Sequence, residues 1–302
     1  MGDSTQEASL QERPRVGVVL GSGGIKAFAA IPLFEFLDEL QIDIDLLVGC
    51  SGGSLMCAGR AAGYSPAEMQ ELLAQHSGRK YTSQVDYRAI LGIAHPRLGQ
   101  VGRAPAILKP QSIQQLFHRL FENLRVEELN PKTRLQATDL QTGEAVLLSS
   151  GPVADAVYAS IACFPLLPPI RIEGRWLMDG AFSSPLPVME AVKRGMDLII
   201  ALDFAEQFTT EPKGFLDFFN RSVNATSRAL TRSQMALSID LHHYEIVMIK
   251  IQFDKAIQLW DMGQMPFILE SGRKAIGERK KDILVAIESF SKLDRNASAE
   301  FL

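Results

Sequence analysis

A serine held between glycines at the end of a short apolar strand is the feature that most constrains the fold of this chain. The strand runs from Leu46 to Val48, and the turn that follows reads Gly49-Cys50-Ser51-Gly52-Gly53. This is the nucleophile-elbow pattern G-x-S-x-G, in which glycines on both sides of the serine, without Cβ atoms, let the chain reverse tightly. The pattern predicts that the Ser51 hydroxyl projects from a sheet, with the positive N-terminus of the next helix directed at it.

A second glycine-rich turn lies upstream, where Gly21-Ser22-Gly23-Gly24 follows an apolar strand that starts at Val16. Two strand-turn-helix junctions so early in a chain predict a parallel α/β sheet, and such sheets bind ligands at the carboxyl ends of their strands. One turn would offer a nucleophile and the other free backbone N–H donors, which together are half of an acyl-transfer site. The alternative is that each glycine turn only packs a helix against a strand.

Apolar periodicity predicts the elements around these turns. Strands are expected at 15–20, 46–49, 135–138, 145–148, 198–202 and 244–253, with a strand pair in 170–178. Helices are expected at 32–40, 52–62, 111–124, 153–162, 187–194 and 214–237, and several near 264–290. The segment 78–110 is broken by glycine and proline, which predicts a cap or lid rather than sheet.

The composition excludes several classes of protein. With 302 residues, of which 46% are hydrophobic, the chain can form one large α/β domain or two small ones. A formal net charge of -4 without a lysine and arginine block argues against a nucleic-acid partner. Three cysteines without a C-x-x-C pair argue against a disulfide framework and for a reducing compartment. No signal peptide or membrane-spanning run is visible, so we expect a cytoplasmic protein, with peripheral contact at the inner membrane surface left open.

The order of the motifs resembles that of the patatin-like phospholipase family, of the bacterial type, from the first glycine turn to roughly residue 275. Gly21 to Ala27 resembles the family's G-G-G-x-[RK]-G oxyanion loop, Gly49 to Gly53 its elbow, and Asp179 to Ala181 its D-G-[GA] motif. The stretches 137–143, 159–165 and 185–188 are also in the style of the family. Single blocks are weak signals, but several in the right order are specific. Ser22 and Ala27 replace family glycines, and neither replacement removes a backbone N–H.

The resemblance implies a three-layer α/β/α sandwich with a mainly parallel central sheet and a cap or lid segment. We expect a disordered tail at 1–14 and one patatin-like domain at 15–302. That domain would include a cap insertion at about 64–130 and a C-terminal helical part at about 254–302.

The resemblance also implies the chemistry. Ser51 would attack an ester carbonyl and Asp179 would act as its general base, in a Ser-Asp dyad without histidine. Backbone N–H groups of Ser22, Gly23 and Gly24 would form the oxyanion hole, where losing one donor typically costs ~10²–10³ in rate. Supporting motif positions would be Gly21, Lys26, Gly49, Gly53 and Gly180. The implied function is a serine lipid acyl hydrolase that acts on phospholipids or lysophospholipids through an acyl-serine intermediate, without cofactor or metal.

Several alternatives stay open at the level of sequence. The chain could be a transacylase that passes the acyl group to another acceptor, or a non-catalytic lipid-binding protein. A Ser51, Asp203, His242 triad has the chain order of an α/β-hydrolase, but that fold places several strands before the nucleophile and here only one precedes it. Lys26 could be solvated or could lie near a lipid phosphate. The phenylalanines of 214–237 could contact a membrane, although core packing is favoured for most of them.

Overall fold

The computed structural model describes residues 13–76, 85–87, 106–206, 211–242, 245–255, 257 and 262–299. Most of the predicted tail at 1–14 and a large part of the predicted cap at about 64–130 therefore lie outside the described residues. The described strands are β1 (Val16–Leu20), β2 (Leu46–Cys50), β3 (Lys132–Asp139), β4 (Ala145–Leu148), β5 (Ile170–Ile172), β6 (Arg175–Asp179), β7 (Leu198–Glu206) and β8 (Glu245–Phe253).

The described helices are α1 (Ile31–Glu39), α2 (Gly52–Ala61), α3 (Pro66–His76), α4 (Gln111–Phe121), α5 (Val153–Ile161), α6 (Val188–Lys193), α7 (Gly214–Leu241) and α8 (Met265–Ala299). Short 3-10 turns cover Gly24–Ala30, Val126–Glu128, Gly180–Phe182 and Met262–Gln264. Pro32 lies in the first turn of α1, where its missing N–H would have had no helical partner. None of the described helices is both long and apolar enough to cross a lipid bilayer.

The described strands form one sheet in the order β5-β6-β3-β2-β1-β7-β8, with β4 paired to β3. The strands β3, β2, β1, β7 and β8 run parallel to one another. The remaining strands, β4, β5 and β6, pair antiparallel at the β3 side. The prediction of a mainly parallel central sheet is confirmed.

Alternating side chains of the parallel strands are buried on both faces of the sheet. Val18 of β1 and Ile200 of β7 belong to a large core cluster that also contains residues of α1, α2, α5 and α8. Val19 and Ile199 belong to a second cluster, which α6 covers. Burial on both faces explains why these strands read as continuous apolar runs. The predicted three-layer α/β/α sandwich is therefore confirmed.

Helix α7 departs from the sequence prediction. Core packing was favoured for most of its phenylalanines, but Phe215 is 66% exposed and Phe218 is 57% exposed. The physical reason is that α7 packs mainly against α6 and the Gly180–Phe182 turn, which leaves the rings of Phe215 and Phe218 largely uncovered. The C-terminal region also differs, because one continuous helix, α8, stands where several were expected.

Candidate active site

The register of strand β3 brings the nucleophile turn and the aspartate motif together. Gln136 of β3 pairs with Cys50 of β2 on one side and with β4 on the other. The next residue, Ala137, pairs with β4 and with Asp179 of β6. Strands β2 and β6 therefore share one edge of β3 and run toward each other. Their carboxyl ends meet at consecutive positions of β3, which places Ser51, the residue after Cys50, next to Asp179.

Ser51 has the backbone conformation expected of a nucleophile elbow. Its φ is 53° and its ψ is -123°, a conformation that non-glycine residues rarely adopt, and α2 begins at the next residue. A side chain at Gly52 would overlap the carbonyl oxygen of Gly24, and neighbouring backbone crowds Gly49 and Gly53 in the same way. Because Gly52 touches Gly24, the two glycine turns of the sequence lie side by side. The elbow thus holds the serine at the positive end of α2.

The Ser51 hydroxyl donates a hydrogen bond of 2.8 Å to Oδ2 of Asp179. Both side chains are buried, and Oδ1 of Asp179 accepts the Ala181 N–H at 2.9 Å. Burial raises the pKa of Asp179 from 3.8 to about 6, while the hydrogen bonds from Ala181 and Ser51 act in the opposite direction. The site therefore pairs a hydroxyl with a carboxylate that is more basic than an exposed one.

Side chains that the sequence analysis did not single out hold this pair in place. The Ser51 N–H donates to Oγ of Ser160 at 2.9 Å, and the Ser160 hydroxyl donates to the Gln136 carbonyl at 2.5 Å. The Thr138 hydroxyl donates to the Asp179 carbonyl at 2.8 Å. Ser160 and Thr138 lie in the stretches 159–165 and 137–143, which resemble the family in sequence. The resemblance of these stretches did not indicate a role for either residue.

The first glycine turn lies against the elbow, but its three predicted donors are not equivalent. The Ser22 N–H donates to the Pro185 carbonyl at 2.7 Å, so it is already used inside the fold. Within the described chain, the N–H groups of Gly23 and Gly24 are not donated to any other group. Gly21 donates its N–H to the Leu202 carbonyl at 3.0 Å, which anchors the turn to β7.

Lys26 lies close enough to Asp203, a residue of β7, for its charge to act on that carboxylate. Lys26 is only 7% exposed, so of the two alternatives left open by the sequence, that of a solvated residue does not hold. Burial raises the pKa of Asp203, while the charges of Lys250, Arg228 and Lys26 lower it. Asp203 is thus surrounded by basic side chains, and the carboxylate that receives the Ser51 hydrogen bond is Asp179.

The cysteines near the site are free thiols. Burial raises the pKa of Cys50 and of Cys163, and the charge of Asp179 raises each further. Thiols with raised pKa values stay protonated at neutral pH and are poor nucleophiles. Among the described residues, no group of three or more histidine, cysteine, aspartate or glutamate side chains could hold a metal ion.

A serine on a strand-to-helix elbow beside a buried carboxylate, at the carboxyl edge of an α/β sandwich, is an arrangement typical of serine hydrolases. The family model described as "Patatin-like phospholipase" matches residues 18–192. The chain belongs to the patatin-like phospholipase family.

Curated relatives share part of their length with this chain. An uncharacterized NTE family protein of Mycobacterium bovis is 30% identical over 219 residues, which cover 71% of this chain and 57% of the relative. A protein named Lysophospholipase NTE1 from Phaeosphaeria nodorum is 27% identical over 202 residues, 67% of this chain and 13% of that protein. The chain therefore spans little more than half of the mycobacterial relative and a small part of the fungal one.

Two solved structures share a more distant backbone similarity. Human GIVD cytosolic phospholipase A2 in complex with methyl gamma-linolenyl fluorophosphonate gives a TM-score of 0.49 at 11% identity, covering 94% of this chain and 60% of that chain. VipD from Legionella pneumophila gives a TM-score of 0.47 at 13% identity, covering 88% and 66%.

Proposed function

We propose that this protein hydrolyses fatty-acyl esters of phospholipids or lysophospholipids, with Ser51 as nucleophile and Asp179 as general base. The observation that carries the proposal is the 2.8 Å hydrogen bond from the Ser51 hydroxyl to the buried Asp179 carboxylate. Such a bond is within the range in which a base can take the proton of a nucleophile. A histidine is not required for this step.

Asp179 is suited to the role of base because its pKa is raised. An exposed aspartate is a weak base for a hydroxyl, and a pKa of about 6 brings Asp179 closer to the optimum for proton transfer near neutral pH. Ser51 lies at the N-terminus of α2, and the helix dipole there favours the negative charge that develops on its oxygen. The burial of the Asp179 carboxylate and the dipole of α2 therefore both favour transfer of the Ser51 proton to Asp179.

The N–H groups of Gly23 and Gly24 form the proposed oxyanion hole. The backbone of Gly24 lies against the elbow at Gly52, the residue after Ser51, which supports a place for its N–H beside the nucleophile. Ser22 is left out of the proposed hole because its N–H already donates to Pro185. Preorganised donors of this kind stabilise the oxyanion of a tetrahedral intermediate, and removing one costs about 10²–10³ in rate.

The proposed reaction has two steps, acylation of Ser51 and hydrolysis of the acyl-serine. Ser51 Oγ bonds to the acyl carbon, the ester C–O bond breaks, and the serine proton passes through Asp179 to the leaving alcohol. Water next bonds to the acyl carbon of acyl-Ser51, and the bond from carbon to Ser51 Oγ breaks. The water proton passes through Asp179 to Ser51, which releases the fatty acid and restores the dyad.

A lipid substrate is supported by family membership and by the name of the fungal relatives, which are called lysophospholipases. The exposed rings of Phe215 and Phe218 in α7 support contact with a lipid surface as part of the same proposal. Co-sedimentation with phosphatidylcholine/phosphatidylglycerol vesicles should be weakened by Phe215→Ser with Phe218→Ser. Val285→Ser, which changes an exposed residue of α8, is the control; equal binding by all three proteins would remove membrane contact from the proposal.

A fluorophosphonate probe tests the nucleophile directly. We expect the wild type to be labelled, Ser51→Ala to remain unlabelled, and Asp179→Asn to label far more slowly while staying folded. Ser238→Ala, which changes a buried serine of α7, should be labelled like the wild type. Failure of the folded wild type to react would favour a lipid-binding protein without catalysis.

A substrate panel then separates the remaining possibilities. Phospholipids, lysophospholipids, triglycerides and short p-nitrophenyl esters should be tested with the wild type and Ser51→Ala, and released fatty acid should be measured. Product analysis with added alcohol or lysolipid reveals a transacylase if the acyl group goes mainly to the added acceptor. Release of free fatty acid from a phospholipid or lysophospholipid is the result we expect.

A further inference from the structure

Ser160 hydrogen-bonds to the nucleophile through the backbone of the elbow. Its side chain is completely buried at the C-terminal end of α5. Its oxygen accepts the Ser51 N–H at 2.9 Å, and its hydroxyl proton is donated to the Gln136 carbonyl at 2.5 Å. A serine inside a helix commonly donates to a carbonyl of its own helix, as Ser238 does to Gln234 at 2.8 Å in α7. Ser160 instead connects two other elements, β3 and the elbow.

The connection matters because Ser51 has a positive φ. A non-glycine residue keeps such a conformation only when its surroundings hold it there. The hydrogen bond from the Ser51 N–H to Ser160 restrains the peptide on the N-terminal side of Ser51, and the start of α2 restrains the other side. The direction of the Ser51 hydroxyl depends on both.

The end of α5 holds the base as well as the nucleophile. The Asp179 N–H donates to the Ala162 carbonyl at 3.1 Å, two residues after Ser160. The Gln136 carbonyl, which receives the Ser160 proton, also lies so close to Gly180 that a side chain there would overlap it. The backbones of Ser51 and Asp179 are therefore located against the same short segment at the end of α5, residues 160–162, and the same peptide of β3.

We propose that Ser160 is a positioning residue, which sets the distance and direction between the Ser51 hydroxyl and the Asp179 carboxylate. The role presupposes the proposed hydrolysis. Ser160 does not touch the reacting atoms, so its loss should slow the attack of Ser51 and leave substrate binding nearly unchanged.

The test compares Ser160→Ala and Ser160→Cys with the wild type and with Ser238→Ala. The alanine removes both hydrogen bonds, and the cysteine nearly keeps the volume but offers only a weak donor and acceptor. Because a misplacement of about 1 Å can cost ~10²-fold in rate, we expect Ser160→Ala to lower fluorophosphonate labelling and kcat for a p-nitrophenyl ester by about 10- to 100-fold. KM should stay within about 3-fold, Ser160→Cys should also be slowed, and Ser238→Ala should react like the wild type.

The outcomes separate this role from simple packing and from the proposed function. Folded Ser160→Ala that reacts as fast as the wild type would overturn the role, as would an equal loss in Ser238→Ala. Wild-type rates in Ser160→Cys would show that only volume matters and would overturn it too. If Ser160→Ala does not fold, the rate of Ser160→Cys decides. A wild type that is not labelled refutes the hydrolase and this role together, whereas a labelled wild type with equally reactive Ser160 variants refutes this role alone.

Discussion

Replacing Asp179 by asparagine should make the protein more stable at pH 8 but not at pH 4. Burial raises the pKa of Asp179 from 3.8 to about 6, so the folded protein holds a proton on this carboxyl more tightly than the unfolded chain does. The stability associated with this group is therefore greatest below pH 4 and is lost as the pH rises from about 4 to about 6. Above pH 6, the folded protein contains a buried charge that the unfolded chain exposes to water.

The magnitude follows from the pKa difference. Each unit of pKa corresponds to about 1.4 kcal/mol, so a rise from 3.8 to about 6 costs the folded state about 3 kcal/mol at pH 8. Asparagine can still accept the Ala181 N–H and can donate to Ser51 Oγ, which preserves both hydrogen bonds. We therefore expect Asp179→Asn to raise the free energy of unfolding by up to about 3 kcal/mol at pH 8, and to leave it nearly unchanged at pH 4.

Urea unfolding of both proteins between pH 4 and pH 8 measures this difference. Asp139→Asn is a suitable control, because Asp139 is also buried and its carboxylate accepts the N–H groups of Gln141 and Thr142. That control should lose stability at pH 8, by about 1–2 kcal/mol, since hydrogen bonds to a charged acceptor are replaced by weaker ones. A difference between wild type and Asp179→Asn that does not change with pH, or a less stable Asp179→Asn at pH 8, would refute the reasoning.

Further predictions concern the pH profile, the elbow and the core. For the wild type, kcat/KM on a short ester should rise as the pH increases through about 6, because Asp179 must lose its proton to act as base. A pH profile that is flat from pH 5 to pH 8 would contradict this role. Gly52→Ala should abolish labelling by the fluorophosphonate probe, because the new Cβ would overlap the Gly24 carbonyl. As a control, Gly277→Ala in α8 places its Cβ in open space and should stabilise the protein by about 0.5–1 kcal/mol in thermal unfolding. Phe34→Ala should lower the free energy of unfolding in urea by about 3–5 kcal/mol, because the ring of Phe34 is fully buried. Phe218→Ala should change it by no more than about 0.5 kcal/mol, because the ring of Phe218 is exposed. Equal losses in the two variants would show that α7 is covered.

Much of the fold could be predicted from local patterns in the sequence. The strand that leads into the elbow and the helix that begins at Gly52 lie where the glycine pattern predicts them, because a tight turn depends on the absence of Cβ atoms at nearby positions. The strands β1 and β7 could be recognised because burial on both faces of a parallel sheet requires continuous apolar residues. The exposure of Phe215 could not be predicted, since apolar periodicity does not reveal how much of a helix its neighbours cover.

The candidate site depends on contacts between distant parts of the chain. Ser51 and Asp179 are separated by 128 positions, and the sequence suggested both only through motifs that resemble those of a family. Their hydrogen bond depends on the pairing of β2 and β6 with consecutive residues of β3. The use of the Ser22 N–H by Pro185 also depends on tertiary contacts.

The sequence by itself determined the glycine turns, the type of most elements and the family of this protein, because steric restriction and apolar periodicity act over a few neighbouring residues. Only the tertiary structure decided that a buried carboxylate lies 2.8 Å from the serine hydroxyl, and that Ser160 holds the elbow. The physical reason is that strand register and burial arise from residues far apart in the chain. Both the distance between two side chains and the pKa of Asp179 follow from that register and burial.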